Sequence, residues 1–211
     1  MATATLTPST YYLSSTHLTM TNADNMYTPV SSTTYATLTN TDASTSYYYC
    51  YIRGFNISDI PAGAQVSSFT VRIRGRGSGI YNSSLYLCHG TTTITGTTAT
   101  QIPNSSSAAT RTFSNGSLTW ADIAGYGSTF GIRINCRRNA KNTQSWYYIY
   151  GAEINVTYEE PAPPAETLYL RNGNTWTAVN KAFKKINGVW VEQSDLTVVF
   201  DGSTNYVKGE I

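Results

Sequence analysis

Few residues in this chain are suited to making or breaking bonds. There are 2 histidines in 211 residues, His17 and His89. His17 lies in a Ser/Thr-rich stretch and His89 opens a His-Gly turn. Neither has a Cys, Asp or Glu at the spacing of a metal site or a catalytic triad. The sequence holds no H-E-x-x-H, no G-x-S-x-G and no P-loop. A glycosidase pair of carboxylates would have to come from Asp59, Asp122 and Glu153, which are scattered. Calcium would draw on Asp24, Asp42 and Asp122, but no D-x-D-x-D spacing joins them. The expectation is a protein that is not an enzyme and carries no metal and no cofactor.

Non-covalent recognition suits the residues better. The segment RRNAKNTQSWYY, residues 137 to 148, gathers Arg137, Arg138, Asn139, Asn142, Gln144, Trp146 and Tyr147 in one loop-to-strand passage. Flat rings stack on the C–H faces of sugars while amides and guanidiniums bond the hydroxyls, so this passage is the candidate glycan-binding site. The alternative is a solvated turn followed by a core strand. Tyr47 to Tyr49 pose the same choice, and packing is the expectation there. A second arginine-rich stretch, FTVRIRGRGSG at residues 69 to 79, has Arg72, Arg74 and Arg76. It reads either as a grip on nucleic acid or as one face of a strand.

The elements that must carry these residues are strands. Residues 46–55, 68–76, 83–88, 129–138 and 146–158 are rich in β-branched and aromatic residues and are bounded by polar or Gly/Pro clusters. No apolar pattern of helical period runs for three turns, and the best helix candidate is one turn near Leu118 to Ile123. Parity then sorts the arginines. Phe69, Val71 and Ile73 share one side of their strand, and Thr70, Arg72 and Arg74 share the other. Phe130, Ile132, Ile134 and Cys136 oppose Arg133, Asn135 and Arg137. In the last long strand Tyr150, Ala152, Ile154, Val156 and Tyr158 are expected inside, with Glu153, Asn155, Thr157 and Glu159 outside. The arginines thus read as the wet faces of half-buried antiparallel strands. If their strands were neighbours, Arg72, Arg74, Arg133 and Arg137 would cluster.

The totals agree with a folded β-protein. Charged residues make up 12 % and aromatics 13 %, with 17 tyrosines. Disordered chains show the opposite balance. The net charge of +2 is too small for a nucleic-acid binder, and no apolar run approaches the ~20 residues that span a membrane. The start, MATATLTPSTYYLSS, has neither a basic nor an apolar signal region, so no signal peptide is expected. Cys50, Cys88 and Cys136 are odd in number and widely spaced. They read as reduced, buried residues rather than a disulfide or zinc framework. The sequons at Asn56 and Asn155 read as composition. Residues 91–110 read as loops around a short strand.

Eight or so strands without intervening helices point to a sandwich or barrel over residues 1–160. EEPAPPAE, residues 159–166, marks a boundary, with 161–166 as an extended Pro-rich linker. Residues 167–211 then repeat a unit: LYLRNGNTWTAV, FKKINGVWVEQ and VVFDGSTNYVKG. Each pairs an apolar run with Asn-Gly or Asp-Gly, a tight-turn signal. Trp176, Trp190 and Tyr206 hold equivalent places, and they are the candidate assembly and anchoring residues. So short a segment rarely holds its own core.

Two stretches carry a family resemblance. IPAGAQVSSFTVRIRGRG, from Ile60, resembles the line that enters a strand in phage virion proteins and related bacterial proteins. LTWADIAGYGSTFGIRIN, from Leu118, with INVTYEE, from Ile154, resembles the later part of the same domain. Such domains look like jelly rolls similar to carbohydrate-binding modules. The tail unit KKINGVWVEQ resembles small "NGxW" repeats at the ends of phage tail and baseplate proteins; the other two copies are degraded, with Tyr206 in place of Trp. The resemblance implies an all-β protein: a jelly-roll-like β-sandwich plus a small C-terminal β-hairpin appendage. It implies a structural component of a phage particle, exposed on its surface. Its partners would be other virion proteins, further copies of the same chain (a trimer among them), and a host-surface glycan, with neither nucleic acid nor membrane insertion.

Overall fold

The computed structural model describes residues 1–42, 46–138 and 144–160, and in the C-terminal segment the strands between Tyr169 and Gly209. The chain divides into two compact units, Met1–Pro161 and Ala162–Ile211.

The first unit is built from β1 (Ala2–Leu6), β2 (Thr10–Leu13), β3 (Leu18–Thr21), β4 (Ala36–Asn40), β5 (Tyr48–Arg53), β6 (Gln65–Ser78), β7 (Ile80–Asn82), β8 (Leu85–His89), β9 (Thr92–Ala99) and β10 (Ala109–Thr112). A short helix, α1 (Trp120–Tyr126), precedes β11 (Phe130–Arg138) and β12 (Ser145–Glu159). The first sheet has the order β10-β6-β12-β4-β3, with β1 also on β12; the second has β2-β5-β11-β8-β9, with β7 also on β11. The long strands β6 and β12 run antiparallel over nearly their whole length. This is the expected all-β sandwich. The chain passes from one sheet to the other at most connections, a jelly-roll-like trait. Residues 91–110 are more regular than expected, since β9 is a strand of 8 residues.

The core lies between the sheets. Val71, Ile73, Leu38 and Ile154 of the first sheet meet Ile52, Leu87, Ile132 and Ile134 of the second, and all are fully buried. The parity of β6 and β11 is as expected. The helix is longer than one turn and is set by a capping box. Thr119 Oγ1 accepts the Asp122 N–H, and the Asp122 carboxylate accepts the Thr119 N–H at 2.8 Å. The Thr119 hydroxyl also donates to that carboxylate at 2.6 Å, and this bond with that of the Thr119 N–H holds the Asp122 carboxyl below its ordinary value.

In β12 two expectations are corrected. A register shift between Ile149 and Gly151 makes Tyr150 an extra residue opposite β6, a bulge that reverses parity. Tyr147 and Ile149 therefore point inward before it, and Ala152, Ile154 and Val156 after it. Tyr150 is not in the core. It stands on the outer face beside Tyr35, at 5.2 Å between ring centroids. Glu153 is on the outer side as expected, yet it is only 2 % exposed. The segment between β3 and β4 folds over it, and the Val30 N–H donates to its carboxylate at 2.9 Å. Gly151 permits that cover, because a Cβ there would lie 2.4 Å from the Thr28 carbonyl oxygen and 2.6 Å from that of Pro29.

The described residues of the second unit form three separate two-stranded antiparallel pairs. These are β13 (Tyr169–Asn172) with β14 (Thr175–Ala178), β15 (Ala182–Ile186) with β16 (Val189–Gln193), and β17 (Val198–Phe200) with β18 (Val207–Gly209). In the second hairpin Ile186 pairs with Val189, and Gly188, in the turn between them, has φ 85°. The linker at 161–166 lies outside the described residues.

Candidate functional site

The expected glycan site does not assemble as one surface. Arg137 ends β11 in the second sheet, and Trp146 begins β12 in the first. Both alternate with core residues, so they face opposite sides of the sandwich. Tyr147 is a correction: it is fully buried in the core, where its hydroxyl donates to the Arg137 carbonyl at 3.2 Å. Burial pushes its ionisation far above the ordinary phenol range. Gln144 is half-buried just before β12, and Arg138 pairs with Ile80 at the end of β11. Asn139 and Asn142 lie outside the described residues.

The four arginines also fail to form one cluster. Arg72 and Arg74 belong to β6 and Arg133 and Arg137 to β11, so the pairs lie on the two opposite outer faces. What the fold assembles instead is a tyrosine–arginine layer on the outside of the second sheet. Across the strands, Tyr12, Tyr51, Arg133, Tyr86 and Thr98 stand in one row. Arg53 lies in the next row, opposite Gly131. Tyr49 and Asn135 pair in the row on the other side, and Tyr47 and Arg137 lie beyond them. The Arg133 guanidinium sits 4.7 Å from the Tyr49 ring centroid and 4.9 Å from that of Tyr86. Arg53 lies over Tyr51 and Tyr12 at 4.7 and 5.6 Å. Arg137 lies 4.9 Å from the Tyr47 ring centroid and donates to its hydroxyl at 3.1 Å. Each such contact contributes about 0.5–1 kcal/mol at an exposed site, more when desolvated. Gly131 clears the way for Arg53, since a Cβ there would lie 2.7 Å from Arg53 Cγ and 2.2 Å from the Ile52 carbonyl oxygen.

None of the strands of this sheet contains Asp or Glu. Arg53 donates to the Gly90 carbonyl, while Arg133 Nε, Arg53 Nε and Asn135 Oδ1 are buried with no hydrogen-bond partner. Cys88, in the row of Arg53 and Gly131, and Cys50, in the core beneath, are free thiols raised to about 11 and about 12 by burial. They are therefore poor nucleophiles at neutral pH. Sequence reasoning assigned the run at Tyr47 to packing. Only Tyr48 packs inward, beside His17 at 5.5 Å. The signal was the alternation Tyr47, Tyr49, Tyr51, Arg53, read with Arg133, Asn135, Arg137 as the facing strand.

The carboxylates considered for chemistry serve the fold. Glu153 pairs with Arg72, Asp122 caps α1, and Asp59 accepts from Asn56 in a turn. His89 stacks on Tyr126 at 4.4 Å. No group of His, Cys, Asp or Glu suited to a metal occurs among the described residues. An open cleft of about 310 Å³ lies beside Phe69 and Trp120.

In the second unit Trp176 pairs with Arg171 and Trp190 with Lys185, each in the second pair from its turn. Tyr206 lies outside the described residues.

No protein-family model matches the chain, and no curated protein matches it in sequence. The class that the fold defines is an all-β sandwich followed by a small unit of hairpins.

Proposed function

We propose that this chain is a non-enzymatic structural component of a bacteriophage virion, a tail, baseplate or capsid-decoration protein. Residues 162–211 hold it in the particle and residues 1–161 are displayed. The observation that carries this reading is the second unit: three two-stranded hairpins, each built on one copy of the repeat. A single two-stranded hairpin is at best marginally stable in water, and so short a segment needs staples or a partner. Trp176 and Trp190 recur at one register position, and aromatic residues are favoured at interface centres. The resemblance of 60–77, 118–135 and the tail to virion proteins supplies the particle.

The test is mass spectrometry of purified phage particles from the source culture, reading the tryptic fragment 77–111. Its presence at a fixed ratio to the major capsid protein supports the reading. Its confinement to the cleared medium overturns it. Removing residues 162–211 should abolish incorporation and leave the sandwich folded; normal assembly of the shortened chain would count against the anchoring role.

A second reading, recognition of host-surface glycans, is favoured by the tyrosine–arginine layer. It is compatible with the first, because a displayed component can also adhere.

A further inference from the structure

The geometry points to the outer face of the second sheet as a binding site for a carboxylated polysaccharide, centred on Arg133. This rests on the recognition reading and names the ligand class for it. The first argument is charge. Arg53, Arg133 and Arg137 face outward from strands that hold no carboxylate. Among the described residues the one ion pair is Arg72–Glu153, on the opposite face. Arg133 forms no hydrogen bond in the described structure, and its buried Nε lacks a partner. A guanidinium has five donors in a rigid fork that matches a carboxylate. Here that fork is fixed between two rings, so little of its freedom remains to be lost on binding.

The second argument is extent. Arg137 and Arg133 are four residues apart on β11, about 13 Å along the strand, and Arg53 pairs with Gly131 about 7 Å further on. The cations thus mark a track roughly 20 Å long, suited to a polymer bearing charges at intervals rather than to one small anion.

The third argument separates polysaccharide from nucleic acid. Single strands bind by stacking bases on bare aromatic rings. Here Tyr12, Tyr47, Tyr49, Tyr51 and Tyr86 each already carry a guanidinium over the ring. What remains for a ligand is N–H and phenolic O–H, with Asn135 and Thr98 beside them. That surface bonds carboxylates and hydroxyls.

The test is affinity electrophoresis of the full-length protein through gels containing sodium polygalacturonate, with neutral dextran and poly(dT) as comparison polymers. Polygalacturonate should retard the protein and dextran should not. Arg133→Ala should weaken the interaction about tenfold, the effect of one charge-assisted contact, and Arg137→Ala by a similar factor. Arg111→Ala, which removes the same charge from β10 in the other sheet, should bind as the parent does. If Arg133→Ala fails to fold by circular dichroism, Arg133→Lys replaces it. The lysine keeps the cation without the planar fork, and parental affinity in that variant would overturn the proposal. So would absence of retardation, an equal loss in Arg111→Ala, or tighter binding of poly(dT). Particle association is read separately. A chain present in virions that ignores polygalacturonate loses this inference alone; a chain that binds it but is absent from virions loses the structural reading alone.

Discussion

On the outside of the first sheet, Arg72, Arg74 and Arg76 stand among Tyr35, Tyr148 and Tyr150. On the outside of the second, Arg53, Arg133 and Arg137 stand among Tyr12, Tyr47, Tyr49, Tyr51 and Tyr86. The ring contacts match: Arg76 lies 4.1 Å from the Tyr148 ring centroid, and Arg133 lies 4.7 Å from that of Tyr49. The difference is what answers the charge. In the first sheet Arg72 meets the buried Glu153, Arg74 donates to the Ser32 carbonyl at 2.9 Å, and Arg76 donates to the Tyr150 hydroxyl at 3.2 Å. The segment between β3 and β4 supplies a carbonyl and a cover. In the second sheet Arg53 donates to the Gly90 carbonyl and Arg137 to the Tyr47 hydroxyl, but no carboxylate stands on the strands and Arg133 is held only by rings. The same two residue types thus make a closed structural network on one side and an open donor surface on the other. The deciding elements are one acidic residue in a strand and one segment folded across it.

The largest expected effect breaks the closed side. Glu153→Ala would leave the Val30 N–H unanswered in a buried place and deprive the partly exposed Arg72 of its carboxylate, and should cost about 3 kcal/mol in urea unfolding. A loss below about 1 kcal/mol would mean that the pair acts as an exposed one. Next come the glycines that shape each side. Gly151→Ala forces a Cβ onto the Thr28 and Pro29 carbonyls, and Gly131→Ala onto the Ile52 carbonyl. Each should cost about 1–3 kcal/mol or more. Only Gly151→Ala should open the segment 22–35 to limited proteolysis; equal protection in both variants would contradict the cover.

The thiols in and under the open side give a pH test. Burial raises Cys88 to about 11 and Cys50 to about 12, above their values in the unfolded chain. Their contribution is fully present below the ordinary thiol range and is lost as pH rises toward 11–12. Stability should therefore fall from pH 9 to pH 11 by up to ~1.4 kcal/mol per thiol per pH unit, and Cys88→Ala should flatten the profile. An unchanged slope in that variant would remove Cys88 from the account. The smallest effect belongs to Arg133→Ala, expected to alter stability by about 1 kcal/mol or less. A loss as large as that of Glu153→Ala would make the open face structural.

Strand parity made most of the fold legible. Val71, Ile73, Ile132 and Ile134 announce a core face, and Gly188 announces a turn, because both signals act within a few residues. The candidate site was legible only in its parts. Proximity along the chain suggested that Arg137, Trp146 and Tyr147 act together, yet a chain that crosses between sheets sends neighbours in sequence to different surfaces. Tyr150 was misplaced, and the burial of the outward Glu153 went unseen, for a related reason. A bulge changes parity without changing composition, and a distant segment can bury an outward carboxylate.

The sequence by itself determined an all-β chain, its alternating faces, its division near residue 160 and the paired strands of the tail, since propensity, period and turn chemistry are local. The tertiary structure alone decided which arginines share a face, which of them meet a carboxylate and which stand between rings without one. Those outcomes depend on strand order and on a segment more than a hundred residues from Glu153, Val30, which no local pattern encodes.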